Sequence, residues 1–373
     1  MHNRIDLIRP DAPELALRGP HPVGVTTHAF DVAPGRSLTT EIWYPAHQDT
    51  VAGTVYHTLI RDGVTPTMLH GSACRNAQPA RGNVAGNAPL IVISHGYPGN
   101  RFLLSHLAES LAAKGYVVAA PDHVGSTYDD QQAFDITLNN RPLDQRAVID
   151  GMALLGGDLG VLVDCDNVGL IGYSMGGYGA LIFGGAGLAP SALDHPRAGD
   201  DGKLAQHLAG SAPHNALRDP RLKAIMPIGP WGNGQGMWDA AGLAQMDTPM
   251  LVIAGTADDV SNYAAMRKVF EGTASDRYFL SFANAGHNAA APVPAPAESW
   301  AMSDVLGWPP FDHYADAVWD TLRMNNIAQH FAAAFMGLHL RGEDFLPYLD
   351  GATWPGFGPG THAGLTLDHL PAR

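Results

Sequence analysis

Short, continuous apolar runs recur along this chain from residue 88 onward, separated by segments whose apolar residues return at helical spacing. "PLIVISHG" (89–96) is apolar without alternation, as a strand covered on both faces must be. Leu104, Leu107 and Leu111 then share one helical face, and Gly115 ends that helix. "YVVAAPDH" (116–123) is a second buried strand. A helix is predicted over 141–155, entered at Arg141-Pro142. "VGLIG" (168–172) is a third strand, and it runs directly into a helix over 175–186. "LKAIMPIG" (222–229), "MLVIAG" (250–255) and "RYFLSF" (277–282) add three more. A last helix over 314–337 keeps Ile327, Phe331, Ala334, Phe335 and Leu338 on an apolar face, which reads as core rather than as a membrane anchor. Strands alternating with helices predict an α/β fold: a mostly parallel sheet with helices on both faces.

Other segments break this rhythm. "VGVTTHAF" (23–30) and "LTTEIWY" (38–44), rich in β-branched and aromatic residues, predict two strands around the turn "APGRS". Residues 49–88 read as an irregular loop insertion of the kind that serves as a lid. Residues 186–220, polar and rich in Gly and Pro, read as a possible cap segment over the site. Residues 291–373 form a C-terminal extension whose tail, 345–373, reads as irregular packing. No repeat or linker divides the chain, so residues 1–373 are taken as a single domain.

Composition narrows the function. Of 373 residues, 46% are hydrophobic and 16% charged, enough for a large core. A formal net charge of −14 disfavours nucleic acid and anionic membrane surfaces as partners. No run of about 20 apolar residues is present, so no integral membrane contact is expected. The first 20 residues lack the apolar stretch of a secretory signal, which makes the cytoplasm the default expectation. Cys74 and Cys165 lie in no CxxC or metal-like pattern and read as two free thiols. The 18 histidines include no HExxH and no pair in an obvious zinc pattern, so no metal is called for, and the serine chemistry read below needs no organic cofactor.

The chemistry is concentrated in "GLIGYSMGGYGA" (169–180), where Gly172-Tyr173-Ser174-Met175-Gly176 makes a G-x-S-x-G pattern between a buried strand and a helix. That context is the one a nucleophile elbow requires: a sharp turn, glycines that let strand and helix approach, and a serine above the sheet edge. Alone, such a serine also fits a helix N-cap. A serine hydroxyl needs a base, and in this chain order the acid and then the histidine follow the serine. Asp258 comes three residues after the strand "MLVIAG", with Asp259 as its rival. His287 sits in the small-residue loop "ANAGHNAA" after "RYFLSF". Both fall at the carboxyl edge of the sheet, where ligands bind in open α/β sheets. An oxyanion hole is expected from the backbone N–H groups of Met175 and of Tyr97 in "SHGYPGN" (94–100). Trp231, just past "LKAIMPIG", is expected to line the substrate pocket with Tyr97 and Met175. Asp122 and His123 are read as a loop-holding pair, and His313 and His330 as structural.

With these residues in view, the chain resembles α/β-hydrolases of the serine esterase type, in particular platelet-activating-factor-acetylhydrolase-like and dienelactone-hydrolase-like bacterial esterases. The matching stretches are "GPHPVGVTTHAF", "LTTEIWYPA", "SHGYPGNRFLLSHLAESLAAKGYVVAAPDH", "GYSMGG", "DPRLKAIMPIGPWG" and "LVIAGTADD", over roughly residues 19–290. "HGY", "GYSMGG" and "GPWG" are also similar to polyester hydrolases and cutinases, in which aromatics at the places of Tyr97 and Trp231 flank the ester. Dienelactone hydrolase proper uses a cysteine where Ser174 stands. The resemblance implies an α/β-hydrolase fold and hydrolysis of a small-molecule ester, short-chain, phthalate-like or a polyester fragment, through an acyl-enzyme. Acyl transfer and amide hydrolysis use the same triad, and a non-catalytic binding protein on this fold is the reading from another class.

Overall fold

The structure, a computed structural model, describes residues 2–80, 88–132 and 134–373. Its strands are β1 (Asn3–Arg4), β2 (Val23–Ala33), β3 (Arg36–Pro45), β4 (Val55–Leu59), β5 (Pro66–His70), β6 (Cys74–Arg75), β7 (Ala88–Ser94), β8 (Val117–Pro121), β9 (Val163–Tyr173), β10 (Leu222–Ile228), β11 (Met250–Gly255), β12 (Arg277–Phe282) and β13 (Leu365–Leu370). Its α-helices are α1 (Ser105–Ala113), α2 (Phe134–Ala153), α3 (Gly157–Leu162), α4 (Met175–Phe183), α5 (Ala212–Leu217), α6 (Ala240–Ala244), α7 (Tyr263–Gly272) and α8 (Thr321–Met336).

Ten strands form one sheet in the order β13-β12-β11-β10-β9-β7-β8-β3-β2-β6. From β12 to β8 every neighbouring pair is parallel, and β3, β2 and β13 join antiparallel. The apolar runs are apolar throughout because both faces of the sheet are covered. On β7, Ile91 and Ile93 point to the face packed by α1 and α8, and Leu90 and Val92 to the face packed by α2, α4 and α7. The parallel strands bring the turns after β7, β9, β11 and β12 to one edge. The expected α/β-hydrolase arrangement, a mostly parallel sheet with helices on both faces, is the one observed.

Four segments depart from expectation. The insertion 49–88 is not irregular: β4 and β5 form an antiparallel hairpin, β1 pairs with β5 in a second, three-stranded sheet, and β6 adds to β2. Residues 81–87 of that insertion lie outside the described residues. The tail is not wholly irregular either, since β13 pairs along the whole of β12. The last helix begins at Thr321 rather than 314, because Asp320 caps it by accepting the Arg323 N–H at 2.8 Å.

The fourth departure is α2, which starts at Phe134 and runs through Pro142 instead of starting there. Proline lacks the N–H that would bond the carbonyl four residues back. That carbonyl belongs to Leu138, and it accepts instead the hydroxyl of Tyr178 on α4 at 3.2 Å. Close approach of the two helices needs Gly179, where a Cβ would come within 2.6 Å of the Arg141 side chain.

Removing the Tyr178 hydroxyl leaves a buried carbonyl unpaired, so Tyr178→Phe is expected to cost about 1–3 kcal/mol in urea unfolding. The cost is expected to shrink in a Pro142→Ala background, where the restored N–H serves Leu138. A second expectation concerns His106 on α1. Both of its ring nitrogens are buried without a partner among the described residues, and burial pushes its pKa down to about 3. The folded ring stays neutral while the unfolded one takes a proton below about pH 6.5, so its contribution is lost as pH falls. Relative to His106→Leu, the native protein should lose about 2 kcal/mol of stability between pH 6.5 and pH 5.

Candidate active site

Ser174 closes β9 and precedes the first turn of α4 with φ 52° and ψ −109°, a conformation that side-chain-bearing residues avoid. Three backbone hydrogen bonds hold it there. Its N–H donates to Ile228 O at 2.8 Å, and its carbonyl accepts from Tyr178 N at 3.0 Å and Trp231 N at 3.1 Å. The flanking glycines are steric requirements. A Cβ at Gly172 would lie 2.2 Å from Gly176 O, and one at Gly176 would lie 2.0 Å from Ser94 O.

Around this turn, three of the expected residues meet. Ser174 Oγ lies 2.9 Å from His287 Nε2, and His287 Nδ1 lies 2.9 Å from Asp258 Oδ2. Because the carboxylate can only accept, the imidazole carries its proton on Nδ1, and Nε2 is free to accept from the serine. Asp258 is buried, and its other oxygen accepts from Val260 N at 2.9 Å and Ser261 N at 2.8 Å. The rival Asp259 is exposed at the rim of the cavity and does not reach the imidazole hydrogen bond. The ring of Tyr173 flanks His287 at 5.3 Å between centroids.

The 94–100 loop lies close to the serine: a Cβ on Gly96 would come 3.2 Å from the Tyr173 ring and 3.4 Å from Ser174 Cβ. The backbone N–H groups of Tyr97 and Met175 find no acceptor among the described residues. The loop is fixed from beneath by a buried polar network. Arg141 donates to His95 O, His95 Nδ1 donates to Gly96 O at 2.7 Å, and His95 Nε2 accepts from His123 N at 3.1 Å. His123 bridges Ser94 Oγ (2.8 Å) and Asp144 Oδ2 (3.1 Å), and Arg36 pairs with Asp144 at 2.5 Å. Burial holds both His95 and His123 well below the usual histidine pKa, with the Arg141 charge adding to it, so both stay neutral. Asp122, the neighbour of His123, accepts from Arg101 N at 2.7 Å and pairs with the Arg101 guanidinium. Asp122 and His123 thus both hold loops.

Ser174, His287 and Tyr97 open on a cavity of about 480 Å³. Three of its walls were not read from the sequence: Arg61 at the β4–β5 turn, and Trp308 and His313 from the C-terminal extension. His313, expected to be structural, lines this cavity, and its Nε2 lies 2.9 Å from the Tyr128 hydroxyl. Burial pushes its pKa down to about 3, helped by the charges of Arg61 and His287. Nothing local in the sequence marks Trp308 or His313, but Asp62-Gly63 is a hairpin signal that places Arg61 at a turn. Met175 and Trp231 do not line the cavity. Met175 is buried in the helix-covered core, and Trp231 packs edge-on against Phe134, Tyr178 and His195. Segment 186–220 flanks Trp231 through His195 and binds α2 through Gln206 and His207, without reaching the cavity wall. Among the described residues no helix is long and apolar enough to cross a membrane.

A family model described as platelet-activating factor acetylhydrolase, isoform II, matches residues 63–136, which include the 94–100 loop and the His123 turn. No curated protein matches the chain. Among solved structures the chain is similar to a ferulic acid esterase from Streptomyces cinnamoneus, at 20% sequence identity over 95% of this chain and 99% of that one, with a TM-score of 0.65.

Backbone strain at residue 174 gives a test independent of activity. Ser174→Ala keeps a Cβ in the strained conformation, whereas Ser174→Gly removes it. Relief of about 1–3 kcal/mol outweighs the roughly 1 kcal/mol entropic cost of glycine. Ser174→Gly is therefore expected to melt above Ser174→Ala in thermal unfolding. The chain thus has the α/β-hydrolase fold, and its segment 63–136 is similar to the platelet-activating factor acetylhydrolase family.

Proposed function

We propose that the protein hydrolyses small to medium carboxylic esters through an acyl-enzyme on Ser174, with His287 as the proton carrier and Asp258 as its orienting carboxylate. The observation that carries this reading is the unbroken line Asp258–His287–Ser174, with both separations 2.9 Å, opening on a cavity beside two unpaired backbone N–H groups. The names acetylhydrolase and ferulic acid esterase, borne by the matching family and the similar structure, both denote ester cleavage and favour the same reading.

In the first half-reaction Ser174 Oγ attacks the ester carbonyl as its proton passes to His287 Nε2. Asp258 keeps Nδ1 protonated and stabilises the imidazolium that forms. The N–H groups of Tyr97 and Met175 stabilise the negative charge that develops on the carbonyl oxygen. His287 then gives its proton to the leaving alkoxide, which departs as an alcohol and leaves the acyl group on Ser174. In the second half-reaction a water gives its proton to Nε2 and attacks the acyl carbon. Collapse releases the acid and returns the proton to Ser174. The cavity volume suits an ester of modest size, which leaves short acyl esters, phthalate-like diesters and polyester fragments within the proposed range.

With 4-nitrophenyl esters from acetyl upward, Ser174→Ala is expected to lose about 10³-fold or more in kcat, and Asp258→Asn a similar amount. Asp259→Asn should stay near the native rate. A fluorophosphonate should add to Ser174, read as a mass shift on its peptide. Turnover undiminished in Ser174→Ala would remove the reading.

A further inference from the structure

Arg61 places a cation in the wall of the cavity that holds Ser174, and nothing in the proposed reaction uses it. It sits at the tip of the β4–β5 hairpin, and the tip is fixed so as to leave its guanidinium unengaged. Asp62, its neighbour, is turned into the hairpin: one oxygen accepts from Val64 N and Thr65 N, and the other from Thr65 Oγ1 and Ser303 Oγ. Gly63, at φ 74°, lies so close to Tyr128 O that a Cβ there would approach to 2.2 Å. The tip is thus clamped to the body of the protein from two sides.

The guanidinium itself lies over the Trp308 ring, 5.9 Å from its centroid, and Trp308 lines the same cavity. Among the described residues the Arg61 guanidinium makes no ion pair or hydrogen bond. It shares the cavity wall with Tyr97, Asn288 and His313, and its charge acts on Tyr97 and His313. His313 shares the cavity wall with Arg61 and His287 and feels the charge of each. Burial lowers the proton affinity of the guanidinium from the usual arginine value, as expected where anionic partners are few, yet it remains charged at any working pH. The cavity's own carboxylates, Asp259 and Asp312, are exposed at its rim, where water screens them.

A half-buried arginine with an open fork of donors, lying over an aromatic ring, is built to receive an anionic oxygen group. We propose that Arg61 is a subsite for an anionic group, a carboxylate or a phosphate, carried by the ester at a distance from the scissile bond. This deepens the ester-hydrolase reading and rests on it for the position of the scissile carbonyl. The substrate class is then a half-ester of a dicarboxylic acid or an ester of a phosphorylated alcohol, rather than a neutral ester.

The test measures binding, so that it does not depend on turnover. Monomethyl adipate and dimethyl adipate share one skeleton and differ by one charge. They are titrated by NMR into full-length Ser174→Ala protein and into Ser174→Ala/Arg61→Leu, with folding of both checked by circular dichroism. The monoester should bind about tenfold or more tighter than the diester to Ser174→Ala. In the double variant that ratio should collapse to about one, and Arg61→Lys should restore part of it. A parallel pair, dibutyryl glycerol phosphate against tributyrin, tells phosphate from carboxylate: the pair with the larger ratio names the anion. Equal binding of charged and neutral members in both pairs overturns the proposal without recourse to any Arg61 variant. A preference that survives Arg61→Leu overturns it too, since the anion would then sit on the N–H groups beside residue 174. Failure of the ester-hydrolase reading looks different: the native protein turns over no ester, charged or neutral, whatever the binding ratio.

Discussion

Everything at the reactive edge depends on one strained peptide. At Ser174 the chain must leave β9, reverse within a residue and enter α4, and it does so at φ 52°. No residue with a side chain adopts that conformation unless its surroundings over-determine it. Here β10 supplies the constraint from one side, through Ile228 O on the Ser174 N–H, and Trp231 N with Tyr178 N supply it on the Ser174 carbonyl. β7 supplies it from the other side, since Gly176 lies against Ser94 O where no Cβ fits. Three neighbouring strand ends are thereby locked to one turn. The same lock leaves the Met175 N–H without a partner and brings the 94–100 loop, with the Tyr97 N–H, alongside it.

The histidine needs a different kind of support. "ANAGHNAA" is made of small residues that cannot anchor a loop by packing. Its order comes from the chain beyond residue 291. Asn288 donates to Asp312 O and Ala315 O, both at 2.8 Å, and its own side-chain oxygen accepts from Tyr173. Gly286 N donates to Asp316, and Trp319 Nε1 donates to Ala283 O. Each of these bonds removes freedom that an imidazole on a bare loop would otherwise keep. The C-terminal extension is therefore part of what aims His287, besides giving Trp308 and His313 to the cavity.

What could be read from the sequence divides along physical lines. The central strands were legible because burial on both faces forces an uninterrupted apolar run, as in residues 89–94 and 250–255. The order of Ser174, Asp258 and His287 was legible because each follows such a strand directly. The β4–β5 hairpin was not, since its strands expose every second or third residue and look like loop, although Asp62-Gly63 marked the turn. β13 hid for the same reason: "LTLDHL" is an exposed edge strand with one buried residue. The start of α2 was hidden by Pro142, a residue that normally opens a helix and is tolerated inside this one because a tyrosine on another helix takes over its missing bond. Trp231 was placed at the right edge of the sheet, but which way an indole turns is decided by its neighbours, here Phe134 and Tyr178. Arg61 reaches the cavity through contacts far apart in sequence, which no local pattern reports.

The molecule also holds a comparison that separates geometry from reactivity. Ser94, His123 and Asp144 form a second Ser–His–Asp line, with separations of 2.8 and 3.1 Å, close to those of Ser174, His287 and Asp258. By hydrogen-bond distance the two can hardly be told apart. Their surroundings differ in every other respect. Ser94 ends an extended strand and is fully buried, its carboxylate is shared with Arg36, and its imidazole is held neutral by burial. No cavity reaches its hydroxyl among those that reach Ser174. At Ser174 the strained backbone lifts the hydroxyl out of the packed layer, and two unpaired N–H groups stand where negative charge would develop. The same three side chains thus fasten a loop in one place and, on the proposed reading, do chemistry in the other. The difference lies in access and in donors placed for a charge that the resting structure does not yet contain.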